Sequence, residues 1–171
     1  ALLAILDEYD IDYLKWDHNR DLIEAGTRPG GRPGVHAQTL ATYRLMDELR
    51  AAHPRLEIES CSSGGARVDL GVLERTDRVW VSDCIDPHER QQMLRWTTQL
   101  VPPEMMGSHI ASGTSHTTGR SHDLNFRAAT AVFGHLGIEW DLRRASGEEL
   151  AELAEWIAFY KAHRELLLGG D

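Results

Sequence analysis

At 171 residues with 42% apolar content, the chain can bury a real core and has the size of one domain or a piece of one. Asp and Glu number 27 against 18 Lys and Arg, a formal charge of −9, which argues against nucleic acid or another polyanion as partner and favours a neutral or cationic one. No run of about 18 apolar residues is present, so no membrane partner is expected, and Cys61 and Cys84 are too few for a disulfide scaffold and match no zinc-ligand spacing, so both are expected as thiols.

Residues 1–9 read as a helix with neither an initiator Met nor a capping residue before the apolar run, and the stretch is too short and lacks the basic leader of a signal segment. A truncated N-terminus and an untargeted, soluble chain are the expectations. Residues 11–16 (I-D-Y-L-K-W) form a β-rich run, followed by a glycine- and proline-rich loop over residues 26–34 (G-T-R-P-G-G-R-P-G). Residues 35–52 carry Leu40, Tyr43, Met46 and Leu49 at helical spacing. A second strand is expected over residues 57–61, a short helix over 68–74, a third strand over 78–82, a helix over 88–100 and a fourth strand over 105–110. A helix over 122–133, a fifth strand over 137–141 and a helix over 147–168 complete the series. Leu150, Leu153, Ala154, Ile157 and Tyr160 of that last helix form an ordinary face for packing on a sheet.

Strand and helix alternate throughout, and residues able to do chemistry stand at strand C-termini. That arrangement is of the α/β class and suits a partial TIM (β/α)8 barrel. A Rossmann fold would want G-x-G-x-x-G after the first strand, which is absent. Five strands against the eight of a closed barrel suggest the fourth to eighth strands with their helices, three βα units being missing upstream.

Three clusters carry the chemistry. In Lys15-Trp16-Asp17-His18-Asn19-Arg20 the strand period of two points Lys15, Asp17 and Asn19 to one side, a cation beside a carboxylate that it keeps ionised. An ionised carboxylate is what a glycosidase nucleophile requires, although a salt-bridged strand end explains the same residues. In Ser82-Asp83-Cys84-Ile85-Asp86-Pro87, with Glu89 and Arg90 beyond, Asp86 or Pro87 suits the cap of the following helix, leaving Asp83 as the freer carboxylate. Asp17 and Asp83 close strands two places apart, roughly 9 to 10 Å between backbones. Inward side chains can shorten that, so both the retaining separation of about 5 to 5.5 Å and the inverting one of roughly 6.5 to 9.5 Å stay open. In Cys61-Ser62-Ser63-Gly64-Gly65-Ala66-Arg67-Val68-Asp69 the glycines permit close backbone approach to a ligand. Arg67 there could meet a substrate hydroxyl or a carboxylate, or only fix the loop through Asp69. A phosphate loop would need Gly-Lys-Ser/Thr, which is missing. His109, His116 and His122 with Asp123 match no standard metal-ligand spacing, so loop or supporting roles are expected of them.

Taken in order and spacing, the three clusters resemble glycoside hydrolase family 36, the bacterial α-galactosidases. K-W-D-H-N-R is similar to the family's nucleophile motif, C-S-S-G-G-A-R-V-D to its sugar-contact motif and S-D-C-I-D-P-H-E-R to its acid/base motif; residues 101–120 and G-I-E-W-D-L resemble its closing strands. The resemblance implies a retaining double displacement with Asp17 as nucleophile and Asp83 as general acid/base, one carboxyl group protonated while the other is ionised. It further implies that Lys15 and Asn19 lie by the sugar ring, that Cys61 and Gly64 line the pocket near the 2-hydroxyl, that Asp86 and Arg67 support the site, and that no metal or organic cofactor takes part.

The same resemblance makes the partner an α-galactoside oligosaccharide, α-1,6-linked as in melibiose or raffinose; reduced cysteines and the bacterial relatives point to cytoplasmic residence, and self-association of the full-length enzyme is a further expectation. It places residues 1–171 in the C-terminal part of the catalytic barrel. The family's N-terminal β-sandwich, its first strands with the Asp pair and Trp that grip the 4- and 6-hydroxyls, and its C-terminal β domain fall outside these residues. Competing readings are an α-N-acetylgalactosaminidase, a raffinose-synthase-like galactosyl transferase, an inactive sugar-binding fragment, and a metal-dependent aldolase or lyase.

Overall fold

The computed structural model describes residues 1–20, 22–26 and 30–170. It divides into two compact units, residues 1–77 and 78–171.

In the first unit, α1 (Leu2–Glu8) precedes β1 (Tyr13–Asp17), α2 (Val35–Ala52), β2 (Glu57–Cys61) and the single turn α3 (Leu70–Leu73). The two strands run parallel in a register that sets Lys15 opposite Glu59 and Asp17 opposite Cys61. Along β1 exposure alternates, with Tyr13, Lys15 and Asp17 outward and Leu14 and Trp16 half-buried, whereas Ile58 to Cys61 of β2 are all buried. A continuous buried run is what a strand covered on both faces requires. The helical stripe of α2 holds only in its second half: Met46 and Leu49 are buried and Tyr43 half-buried, but Leu40 is 51% exposed. α3 starts later than expected because Asp69 acts as its cap, accepting from the Val72 N–H at 2.9 Å and from the Tyr43 hydroxyl at 2.7 Å. Gly71 allows this approach, since a Cβ there would stand 2.7 Å from the Tyr43 ring. Of the glycine-rich loop, Gly26 pairs antiparallel with Pro33; residues 27–29 lie outside the described residues.

In the second unit, β3 (Arg78–Trp80), α4 (Pro87–Thr97), β4 (Met106–Ala111), α5 (Leu124–Ala131), β5 (His135–Glu139) and α6 (Gly147–Gly169) follow in order. β4 pairs parallel with both β3 and β5. β3 stops at Trp80, short of the expected Ser82, whose carbonyl accepts from Arg90 Nη1 at 3.0 Å. β5 begins two residues earlier than expected, directly after Gly134, where a Cβ would stand 2.7 Å from the Met106 carbonyl oxygen. It ends at Glu139, after which Asp141 caps a 3-10 turn over Leu142–Arg144. α5 is capped by Asp123, which accepts from Phe126 N–H at 2.7 Å. α6 opens on a reciprocal capping box between Ser146 and Glu149.

The core of this unit is Ile110, Leu124, Ala128, Ala131 and Leu153, with Leu136, Ile138, Trp140, Trp156 and Ile157 packed around it. Of the α6 face expected to pack, Leu153, Ile157 and Tyr160 point inward, the Tyr160 hydroxyl donating to the Gly134 carbonyl at 2.9 Å, while Leu150 and Ala154 are exposed. Cys61 and Cys84 form no disulfide. No helix among the described residues is long and apolar enough to cross a membrane.

Leu153 is 3% exposed, so Leu153→Ala in the complete protein is expected to cost about 3 kcal/mol through lost burial and the cavity left behind. Chemical denaturation checks this: the unfolding midpoint falls with an unchanged slope.

Candidate functional site

In the first unit the site is built on the C-terminal ends of β1 and β2. The pleat that exposes Asp17 also exposes Lys15, as the period of two predicts. Lys15 meets Glu59, however: its Nζ lies 3.3 Å from Glu59 Oε1, and the other Glu59 oxygen accepts from the Tyr13 hydroxyl at 2.6 Å. Glu59 is 2% exposed, and a carboxylate so far from water requires such donors. The sequence signal is a charged residue, Glu59, between Ile58 and the Ser60-Cys61 end of β2, but the pairing depends on a strand register that one sequence does not reveal.

After Asp17 the chain clasps the loop that follows β2. His18 N–H donates to the Cys61 carbonyl at 3.1 Å, its own carbonyl accepts from the Ser62 hydroxyl at 2.8 Å, and Asn19 Oδ1 accepts from Ser63 N–H at 2.6 Å. Ser63 and Gly64 both have positive φ, 47° and 76°. Gly64 takes that conformation at little cost and Ser63 does not; the bond from Asn19 helps to hold it. Cys61 and Gly64 are themselves buried.

The hydrogen bonds of Arg67 go to main-chain oxygens. Its Nη2 donates to the carbonyls of Trp16 at 3.1 Å and Cys61 at 2.6 Å, bracing the strand ends on which Asp17 sits. Burial lowers the pKa of this guanidinium, against the opposing attraction of Cys61 and Asp17.

In the second unit Asp83 is exposed just beyond β3, and its Oδ1 accepts from Trp80 Nε1 at 3.1 Å. Asp86 is wholly buried and caps α4, accepting from His88 N–H at 2.9 Å. Its Oδ2 accepts from Thr118 Oγ1 at 2.5 Å and Arg120 Nε at 2.6 Å, and His122 Nε2 lies 3.4 Å from Oδ1. Burial alone would raise the Asp86 pKa, yet the hydrogen bonds from Thr118, Arg120 and the His88 N–H hold it far below the ordinary carboxylate value. Arg120 also pairs with Glu89. Both Asp86 oxygens are thus taken by protein donors, which tie residues 118–122 to the start of α4.

The histidines divide in the same way: His122 faces Asp86, and His109 Nδ1 lies 2.9 Å from Glu139 Oε2. Among the described residues no three His, Cys, Asp or Glu side chains are grouped to hold a metal ion.

A family model described as Melibiase matches residues 1–170. Among curated proteins, an α-galactosidase of Escherichia coli is 44% identical over 168 residues, 98% of this chain and 23% of that relative's length. The chain thus spans about a quarter of the length of the curated relatives it matches. Among solved structures, the glycoside hydrolase family 36 α-galactosidase AgaA of Geobacillus stearothermophilus, as a variant bound to 1-deoxygalactonojirimycin, superposes with a TM-score of 0.94 at 33% identity over 98% of this chain and 24% of its own. Another AgaA variant, in complex with raffinose, gives 0.94 at 32% identity with the same coverage. The fold is accordingly that of a partial (β/α)8 barrel.

Asp86 offers a test of how firmly its loop is held. A carboxylate whose folded pKa is depressed stabilises the native state above the ordinary value near 3.9 and loses that contribution as pH falls through the folded value. Asp86→Asn is therefore expected to destabilise by on the order of 3 kcal/mol at neutral pH. In urea unfolding the gap from the unsubstituted protein narrows below about pH 4.

Proposed function

The chain belongs to the melibiase family, the α-galactosidases of glycoside hydrolase family 36, and on that premise we propose that the complete protein is a retaining glycoside hydrolase releasing terminal α-linked galactose from oligosaccharides of the melibiose and raffinose type. The observation that carries the reading is the family match over residues 1–170, which runs through both strand-end aspartates.

In this reaction Asp17 attacks the anomeric carbon as the bond to the leaving oxygen breaks, and Asp83 gives its proton to that oxygen. Water then attacks the galactosyl ester, Asp83 takes its proton, and the Asp17 carboxylate is released, so configuration is retained. Lys15 donates to ring hydroxyls, Asn19 stands beside it, and Cys61 and Gly64 line the wall near the 2-hydroxyl. Arg67 and Asp86 hold the loops beneath. Support comes from Asp17 and Asp83 being exposed at strand ends while Glu59 and Asp86, the buried carboxylates, are engaged within the protein. The reaction draws on no metal or organic cofactor, and the reading includes cytoplasmic residence and self-association of the complete enzyme.

Hydrolysis of an aryl α-galactoside by the complete protein tests the reading. Asp17→Ala is expected to abolish turnover, and added azide to restore it with β-galactosyl azide as product. Wild-type activity in Asp17→Ala would remove the nucleophile assignment; an inactive wild type would remove the galactoside. Asp83→Ala is expected to slow raffinose hydrolysis by roughly 10²- to 10⁴-fold, the usual worth of general acid/base catalysis.

A further inference from the structure

A general acid must deliver its proton along one direction, and an exposed carboxyl group at the end of a strand has a freely turning side chain unless something holds it. In the second unit the group that reaches Asp83 is the indole of Trp80, whose Nε1 donates to Oδ1 at 3.1 Å. Trp80 is the last residue of β3 and is 3% exposed. Gly107, opposite it on β4, carries no side chain.

The ring has two close neighbours over its π system. His109 stacks on it with centroids 4.2 Å apart and planes 29° from parallel, and the Arg90 guanidinium lies 4.7 Å from its centroid. Each neighbour is anchored in turn. His109 is held by Glu139 at 2.9 Å and lies across Gly137, where a Cβ would stand 2.6 Å from the imidazole. Arg90 donates to the carbonyls of Ser82 at 3.0 Å and Gly107 at 3.1 Å, so the cation that steadies the indole also grips the residue preceding Asp83.

We propose that Trp80, held by its contacts with His109 and Arg90, is a positioning residue for the proton-donating carboxyl group of Asp83. This rests on the acid/base role given to Asp83 above. A packed tryptophan with a merely structural role would affect every substrate alike. A tryptophan that aims the acid matters in proportion to how much the leaving group needs a proton.

The test compares Trp80→Phe with the unsubstituted complete protein on raffinose, whose leaving sugar oxygen must be protonated, and on α-galactosyl fluoride, whose leaving fluoride needs little help. kcat/KM on raffinose is expected to fall about tenfold, the worth of one hydrogen bond to such a group, and to fall far less on the fluoride. The ratio of the two rates does not depend on the fraction of enzyme folded, because unfolded protein lowers both equally. If Trp80→Phe does not fold at all, replacing Trp80 with 3-benzothienylalanine keeps the ring shape and removes only the N–H, with the same expectation. Equal losses on both substrates, or none, would overturn the proposal. Asp83→Ala separates it from its premise: a steep leaving-group dependence there with none at Trp80 removes the indole's role alone. An Asp83→Ala variant impaired equally on both substrates removes the acid/base assignment and the proposal with it.

Discussion

A carboxylate withdrawn from water has to be met by donors, and both units are organised around that requirement. In the first, Glu59 is buried in β2 and draws Lys15 and the Tyr13 hydroxyl onto it from the neighbouring strand. In the second, Asp86 is buried at the start of α4 and collects Thr118, Arg120 and His122 from a segment more than thirty residues further on. Removing either acid would leave its donors without their common centre, and in the second unit the segment after β4 would lose its attachment to α4.

The same requirement sorts the acidic residues by what they can do. Asp17 and Asp83 stand exposed where their strands run out, each beside a frame that holds backbone. Arg67 braces the carbonyls of Trp16 and Cys61 next to Asp17, and Arg90 holds the carbonyls of Ser82 and Gly107 near Asp83. Both arginines thus serve main-chain oxygens. Burial costs a guanidinium less when carbonyl dipoles satisfy its N–H groups, and in both cases the pKa is nevertheless lowered, burial being the largest cause.

How much of this was legible in the sequence follows from the range of each interaction. Alternating exposure on β1 and the boundaries of α2 and β2 match what periodicity alone gives, since both are decided by neighbours a few residues away. The preference for Asp86 or Pro87 over Asp83 as the cap of α4 is equally local, and Asp86 is the residue that caps it, accepting from the His88 N–H. What the sequence did not disclose was set by register or by distant loops. Lys15 shares the exposed side of β1 with Asp17, as the period of two gives, but its ion pair to Glu59 across the ladder depends on register. The residues alone left Arg67 open between a substrate hydroxyl, a carboxylate and Asp69; its bonds to the Trp16 and Cys61 carbonyls depend on how distant segments meet, while Asp69 caps α3 and accepts from Tyr43. The family resemblance reached further than the local rules because a motif records the outcome of such long-range choices without explaining them.

The difference between Asp86 and Asp83, three residues apart, lies in the kind of donor each receives. Asp86 meets a guanidinium and is held ionised. A proposed proton donor could not function under that influence, since a cation at hydrogen-bond distance favours the charged form of a carboxyl group. Arg90 stands close by, but its N–H groups go to Ser82 and Gly107 and its plane to the face of Trp80. The contact that reaches Asp83 is then the neutral indole N–H at the ring's edge, which fixes direction without contributing a full charge. Placing tryptophan between an arginine and an aspartate in this way lets one short segment carry an acid held ionised and an orientable one, provided the ring cannot turn; the stacking of His109 on the indole opposes such a turn.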